Sequence, residues 1–577
     1  MIKIDNTRDN LLSNIGKETL KDRYLLPNET YQEMFKRVAE AYGDDDKHSQ
    51  RLYDYMSLQW FMPATPILAN GGTNRGLPIS CFLQSVEDSI SDITENWKET
   101  SILSSKGGGI GVSYGKVRSI GERVGIVGET CGVIPFIKVN DSLALAISQG
   151  NLRRGSAAAY LPVNHGDIEE FLEIRKASGG DPNRKALNMH HGIVIDDKFM
   201  QAVEEGLPYE LLSPATGAVI KTVDARELWI KILTIRLETG EPYLVWGDRL
   251  IEATPEFHKD KGLFPTQSNL CSEITLPTNQ ERTAVCCLSS VNLELWETWK
   301  DDSYFIEDIM RFLDNVLQDF ITKAPDSMAK AKLSATMERS VGLGAMGFHS
   351  YLQSKGIPID CGLAKSINLK MFSHIKSHVD AANLHLGVER GSCLDAEGTA
   401  FPQRFSYTMA IAPNASISII CGSTSAGIEP YAANMYQHKS LSGTFTIKNK
   451  HLDNLIKNKY SAFNRDEVWK LIAQEAGSIQ NLDMFTEEEK EVFKTAFEVD
   501  QRYLITHAAD RQPFIDQAQS LNIFLPSTVD KKSLHNIHFD AWKLGLKTMY
   551  YLRSKSISRA EKVSLTIGNI DECLSCN

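Results

Sequence analysis

Asn269-Leu270-Cys271-Ser272-Glu273 lies between Pro265 and Pro277, and prolines on both sides favour an extended or looped segment over a helix. Side chains alternate faces in extended backbone, so the spacing predicts that Asn269, Cys271 and Glu273 point the same way. An amide, a thiol and a carboxylate then converge. The amide can orient a hydroxyl, and the carboxylate can take its proton. The thiol can act as a nucleophile or, once oxidised by one electron, as a hydrogen-atom abstractor. The plainer alternative is a turn holding a buried cysteine and two solvated polar residues.

The surrounding chain has 577 residues, enough for several average domains or one large enzyme core with insertions. Its 42% hydrophobic and 23% charged content is that of an ordinary globular protein. A net charge of -11 argues against nonspecific binding to nucleic acid or an anionic membrane. Met1-Ile2-Lys3-Ile4-Asp5 lacks the apolar core of a signal peptide, and no apolar run is long enough to span a bilayer. These features point to the cytoplasm, where structural disulfides are rare. The ten cysteines are therefore candidates for chemistry, metal binding or plain burial.

Near the start, Asn28 is expected to cap a helix carrying Tyr31, Phe35, Val38 and Tyr42, with Gly43 ending it. From Met62-Pro63-Ala64-Thr65-Pro66 onward, short strand-like runs alternate with helices, which reads as α/β with a largely parallel sheet. Asp224, Glu227 and Gly240 frame a clearly signalled helix. A helical, charged region is expected after about Asn434, and a mobile polar tail after about Ser554. The expected division is 1–60 (helical), 61–553 (α/β) and 554–577 (tail).

No P-loop motif occurs, and Gly107-Gly108-Gly109-Ile110-Gly111 lacks the dinucleotide-binding spacing. His190-His191 has no second metal-like cluster near it and is expected to be structural; no metal site is expected in the chain. Cys573-Leu574-Ser575-Cys576 is a dithiol close to the C-terminus with no partner pair for zinc, a pattern suited to disulfide exchange from a tail. Cys81 opens one strand-like run, and Cys286-Cys287 opens another; if the two strands are neighbours, Cys81 and Cys286 can form a redox pair. Cys131, Cys361, Cys393 and Cys421 are expected to be buried as small hydrophobes. Tyr550-Tyr551 precedes the tail and suits either packing or stepwise electron transfer along phenols.

Together these motifs, from about Trp60 to the C-terminus, resemble the large (alpha) subunit of class I ribonucleotide reductase. The resemblance implies a ten-stranded α/β barrel, built from two antiparallel halves of five parallel strands, with a finger loop through its middle. By this match Cys271 is the radical thiol that removes the ribose 3′ hydrogen, Glu273 the base at the 3′ hydroxyl, and Asn269 a hydrogen-bonding partner of the ribose. Cys81 and Cys286 match the pair that supplies two electrons and becomes a disulfide, with Cys287 competing for the second position.

Thr65, Ser80 and Gly109 match substrate-contacting positions, and Pro413-Asn414-Ala415-Ser416-Ile417 matches a phosphate-binding turn. Its second residue departs from the family's Glu- or Gly-containing forms, so the match carries backbone contacts. Asp88, Arg118 and Arg153 fall where the family binds a nucleoside triphosphate specificity effector. Tyr550 and Tyr551 match the relay that carries a radical from a ferritin-like beta subunit, whose metal or radical centre is the source. Cys573 and Cys576 match the pair that re-reduces the site and is itself reduced by thioredoxin or glutaredoxin.

The resemblance further implies a homodimer that reduces ribonucleoside diphosphates. Only about sixty residues precede the barrel, too few for the family's ATP-cone, so a short form is expected. Two alternatives stay open: the adenosylcobalamin-dependent class, and a catalytically silent nucleotide-binding regulator.

Overall fold

In the computed structural model the described residues are 2–555, except 127, 150–152, 155 and 441–442. The chain begins with helices, including Asn14–Arg23, Tyr31–Tyr42 and Asp46–Ser57. Thr30, not Asn28, caps the second: its side chain accepts from Glu33 N, while the Glu33 carboxylate accepts from Thr30 N. Asn28 instead takes a left-handed turn position (φ 67°) two residues earlier. That helix buries Met34, Phe35, Val38 and Tyr42 as its 3.6-residue period requires, and Tyr42 meets Phe312 edge-on at 5.5 Å. The helix Ala225–Thr239 forms as expected, capped by Asp224 and ended by left-handed Gly240.

The strands close into a barrel. β1 (Cys81–Ser85), β2 (Gly109–Ser113), β3 (Ser156–Pro162), β4 (His190–Ile195) and β5 (Tyr243–Trp246) pair in parallel in that order. β6 (Ala284–Asn292) and β7 (Val341–Met346) begin a second parallel half. It continues through segment 408–411, bridged to β7 at Leu343↔Met409, and through 517–520, bridged at Ile411↔Gln519. It then passes into β8 (Ile523–Pro526). β9 (Thr548–Met549) and β10 (Leu552–Lys555) form one extended run interrupted at Tyr550-Tyr551, and β10 lies parallel to β8. The halves meet antiparallel at both seams, β1 on β6 and β5 on β9. The path thus closes as two halves of five strands, the architecture expected above.

Strand periodicity sorts the side chains. Cys81, Leu83, Ala158, Tyr160, Tyr243, Val245, Ala284, Cys286 and Leu288 belong to an inner cluster with Leu270, Cys271, Tyr550 and Tyr551. Their alternates Phe82, Ala159, Leu161, Leu244, Trp246, Val285 and Cys287 pack outward against the helices. Parallel strands covered on both faces account for the near-continuous apolar runs.

Two other expectations change. The region after Asn434 opens with an antiparallel hairpin, Met435–Ser440 with Gly443–Lys448, before its helices begin. Cys393 and Cys421 are buried, but Cys131 is exposed and Cys361 is half-buried. Residues 556–577, with Cys573 and Cys576, lie outside the described residues.

Candidate active site

The segment between β5 and β6 threads the barrel, and every residue from Gln267 to Leu276 is buried. It fits because β2 presents glycine toward it. A Cβ on Gly111 would stand 2.0 Å from Ser268 O and 2.9 Å from Asn269 Cα. The glycine run that failed as a nucleotide-binding motif thus lets a loop approach a strand.

The tip is a turn, the looped rather than the extended of the two forms that the flanking prolines favour. Ser272 is left-handed (φ 64°). Asn269 folds its side chain back along the loop, its Oδ1 accepting from Glu273 N and Ile274 N, both at 3.1 Å. Two distant residues hold the tip's carbonyls: Tyr160 OH donates to Asn269 O at 2.5 Å, and Ser520 Oγ to Cys271 O at 2.5 Å. Ser520 Oγ also lies 3.1 Å from Glu273 Oε2. Asn269 Nδ2 is buried with no hydrogen-bond partner among the described residues, an arrangement that a bound polar group would satisfy.

Cys81 and Cys286 are direct cross-strand partners on the inner face of the β1–β6 seam, both as free thiols. Cys287 points the other way, its Sγ 3.5 Å from Leu313 O. Burial, reinforced by the neighbouring Cys287 and Cys81, pushes the Cys286 thiol's pKa well above its usual range, so it is held protonated. Gln517 Nε2 reaches Cys286 Sγ at 3.7 Å.

On the other side, Tyr550 OH donates to Cys271 Sγ at 3.4 Å. The Tyr550 and Tyr551 ring centroids are 4.3 Å apart, and Tyr243 packs on both at 4.8 and 5.1 Å. Tyr551 OH lies 3.2 Å from His190 Nδ1, which is 2.6 Å from Glu241 Oε1. Burial raises the Glu241 pKa, but the charges of His190 and Arg175 and hydrogen bonds from His190 and His191 outweigh it. The carboxyl ends well below its ordinary range. His190 thus ties Tyr551 to the buried Glu241 carboxylate.

Family models described as "Ribonucleotide reductase, barrel domain" and "Ribonucleotide reductase, all-alpha domain" match residues 79–401 with 392–552, and 10–76, respectively. The chain belongs to the ribonucleotide reductase family. The ribonucleoside-diphosphate reductase large subunit of Invertebrate iridescent virus 3 is 41% identical, with 100% of each chain covered. The large chain of the Schizosaccharomyces pombe enzyme is 32% identical, covering 97% of this chain and 76% of that one. The solved alpha subunit of Actinobacillus ureae class Id ribonucleotide reductase matches at TM-score 0.85 and 32% identity, with 100% of both chains covered. As a large subunit of this reductase family, the chain implies a small-subunit partner and nucleotide effectors.

The remaining positions carried by the reductase resemblance fall in two places. Ser80 O accepts from Gly109 N at 2.6 Å, and Gly109 is in register with Cys81, so both flank the thiol pair. Thr65 is buried and shares a 2.8 Å hydrogen bond with Tyr24 OH. A cleft beside it is lined by Ala64, Ser289, Ser290, Ala412, Asn414 and Ile417. Asn414 is left-handed (φ 56°) and precedes the helix Ala415–Ile420. Its side chain accepts from Ser290 Oγ and donates to Ala345 O, both at 3.1 Å. Pro413 and Ala415 are half-buried, and Ser416 is buried.

Away from the barrel interior, Asp88 accepts from Arg118 Nε at 2.7 Å and from Arg118 N at 3.1 Å. Arg153 lies in a two-residue strand paired with Ser148–Gln149, and its side chain is outside the described residues.

Sequence reasoning missed Tyr160, Tyr243, Glu241, Ser289, Gln517 and Ser520. Ser289 Oγ is buried in the cleft without a partner among the described residues. None of the six belongs to a local motif. Tyr160, Tyr243 and Ser289 carry hydroxyls inside buried strand runs, whereas Glu241, Gln517 and Ser520 lie outside the named strands and carry no local signal. Among the described residues, no helix is long and apolar enough to cross a membrane.

Proposed function

We propose that this reductase converts ribonucleoside diphosphates to 2′-deoxyribonucleoside diphosphates by thiyl-radical chemistry at Cys271. The observation that carries the reading is the unbroken contact from Tyr551 through Tyr550 to Cys271 Sγ, in the same buried inner cluster as the Cys81–Cys286 pair. A one-electron oxidant on a ferritin-like small subunit supplies the radical. Electrons pass outward from Cys271 to Tyr550 and Tyr551.

The Cys271 thiyl removes the substrate 3′ hydrogen, and Glu273 takes the 3′ hydroxyl proton. The 2′ hydroxyl then departs as water, its proton coming from the Cys81–Cys286 pair; the protonated state of Cys286 suits this task. The pair gives two electrons in all and closes to a disulfide, and Cys271 returns the 3′ hydrogen. The buried loop keeps water and stray reductants from the radical. Cys573 and Cys576 reopen the disulfide by thiol exchange and are re-reduced by a thioredoxin or glutaredoxin.

Asn269, Thr65, Ser80, Gly109 and the turn Pro413 to Ile417 hold the substrate; the orphaned Asn269 Nδ2 and Ser289 Oγ support a polar ligand there. Asp88, Arg118 and Arg153 take a nucleoside triphosphate at the interface of a cytoplasmic homodimer. The experiment is product formation by the purified chain, with a candidate small subunit in one tube and adenosylcobalamin in another. Product only with the small subunit is expected. Product with adenosylcobalamin alone assigns the chain to the other class and leaves Tyr550-Tyr551 a packing pair.

A further inference from the structure

Ser520 stands at a junction that the proposed reaction does not yet use. It ends the segment 517–520 that leads into β8, and Ala518 N on the same segment donates to Glu273 O at 2.9 Å. Its buried hydroxyl is 2.5 Å from Cys271 O and 3.1 Å from Glu273 Oε2. A serine hydroxyl carries one proton, so it cannot donate to both oxygens at once.

The two acceptors differ in how strongly they compete. A carboxylate accepts a charge-assisted bond, roughly twice as strong as a neutral carbonyl's. A protonated carboxyl loses that advantage. Ser520 then turns to the nearer acceptor, the Cys271 peptide. Tyr160 fixes the Asn269 carbonyl on the other side of the tip, and the Ser520 bond adds to the hold on its Cys271 end.

We propose that Ser520 is a positioning residue whose single proton alternates between the Glu273 carboxylate and the Cys271 carbonyl, so that the charge on the base sets the hold on the radical cysteine's peptide. The inference rests on the reading of Glu273 as the base. Before the 3′ proton is taken, the Ser520 proton lies toward the Glu273 carboxylate and the Cys271 peptide lacks this one bond. After the transfer, Glu273 is neutral and Ser520 secures the peptide while Cys271 stores the substrate hydrogen. Only protons move between these oxygens, so no further oxidant or reductant is needed.

The titratable groups around this junction include Cys271 from the same loop, Tyr160 from β3, Cys286 from β6 with Cys81 across from it on β1, and Tyr550, whose hydroxyl meets Cys271 Sγ. Burial raises the pKa of both Tyr160 and Cys286, so neither titrates on the acid side.

The test is the pH profile of kcat at saturating substrate for wild type, Ser520→Ala, Ser520→Thr and Glu273→Gln, each assembled with the small subunit. A donor to the carboxylate favours its charged form, so losing it raises the Glu273 pKa. Ser520→Ala should lower kcat roughly ten- to hundredfold with KM little changed. Its acid limb should move up by about one pH unit, and Ser520→Thr, which keeps the hydroxyl, should restore both. A kcat loss that is uniform across pH, or no loss, overturns the role of Ser520. Full activity of Glu273→Gln is a different failure: it removes the base itself, and with it the reading on which the inference rests.

Discussion

Tyr550 OH donates to Cys271 Sγ at 3.4 Å, although 279 residues separate them in sequence. The contact arises because β9 and β10 form the seam strand beside β5, while the loop after β5 turns back through the barrel. It places a phenol directly on the thiol that the proposed reaction uses as a radical.

If that contact conducts, removing the phenol oxygen should stop turnover without disturbing the fold. Tyr550→Phe and Tyr551→Phe keep the ring packing with Tyr243 and remove the accessible oxidation. Each should bind substrate and small subunit normally, yet give less than about a thousandth of wild-type product, since no other route lowers the barrier by a comparable ~4 kcal/mol. Steady-state assays with parallel binding measurements check this, and normal turnover by either variant would break the relay.

Glu241 gives a pH-dependent prediction. Its folded pKa is depressed, so its contribution to stability is complete above the unfolded value of 4.5 and is lost as pH falls through the lower folded value. Glu241→Gln leaves Arg175 without its buried counter-charge and should cost about 3 kcal/mol at pH 7. Apparent melting temperatures of the two proteins should differ most above pH 4.5 and converge in more acid solution. A gap that persists unchanged to pH 3 would contradict the assignment.

Gly111→Ala tests how tightly the loop is seated. Its Cβ would meet Ser268 O at 2.0 Å, backbone that cannot rotate away. The loop or β2 must shift, at a cost of about 1–3 kcal/mol or more. A displacement of that order at Cys271 should reduce kcat about a hundredfold. Thermal unfolding and steady-state rates measure the two effects, and wild-type values for both would show that the loop has slack.

The terminal cysteines should separate single from multiple turnover. With Cys573 and Cys576 replaced by Ser, prereduced enzyme still holds two electrons in Cys81 and Cys286. One deoxynucleotide per chain should form, and thioredoxin-driven cycling should stop. Loss of the first turnover as well would remove the shuttle role.

Much of this was legible from local pattern. The strand-like runs at Cys81 and Cys286 pair as anticipated, and Asp224 with Gly240 framed their helix. The choice between Cys286 and Cys287 was not legible, because all nine residues of β6 are buried and polarity does not mark its faces. Only pairing with β1 does so. The shape of the loop tip was likewise hidden. Its turn depends on Tyr160 and Ser520, which lie far off in sequence and complete it only in the closed barrel. Asn28 and Thr30 are both good caps two residues apart, and the capping box with Glu33 decides between them. His190 reads as half of a plain histidine pair until β4 carries it to Tyr551.

The central claim is that Cys271 removes the substrate 3′ hydrogen, and the most direct measurement uses a ribonucleoside diphosphate deuterated at C3′, given to wild type and to Cys271→Ser. Wild type should show a primary isotope effect on product formation and return the deuterium to C3′. Cys271→Ser should bind the same substrate and form no product, because an alkoxyl radical is far harder to reach than a thiyl. Deoxynucleotide formation by Cys271→Ser, or wild-type turnover insensitive to 3′ deuteration with the label lost to solvent, would place the chemistry on another residue.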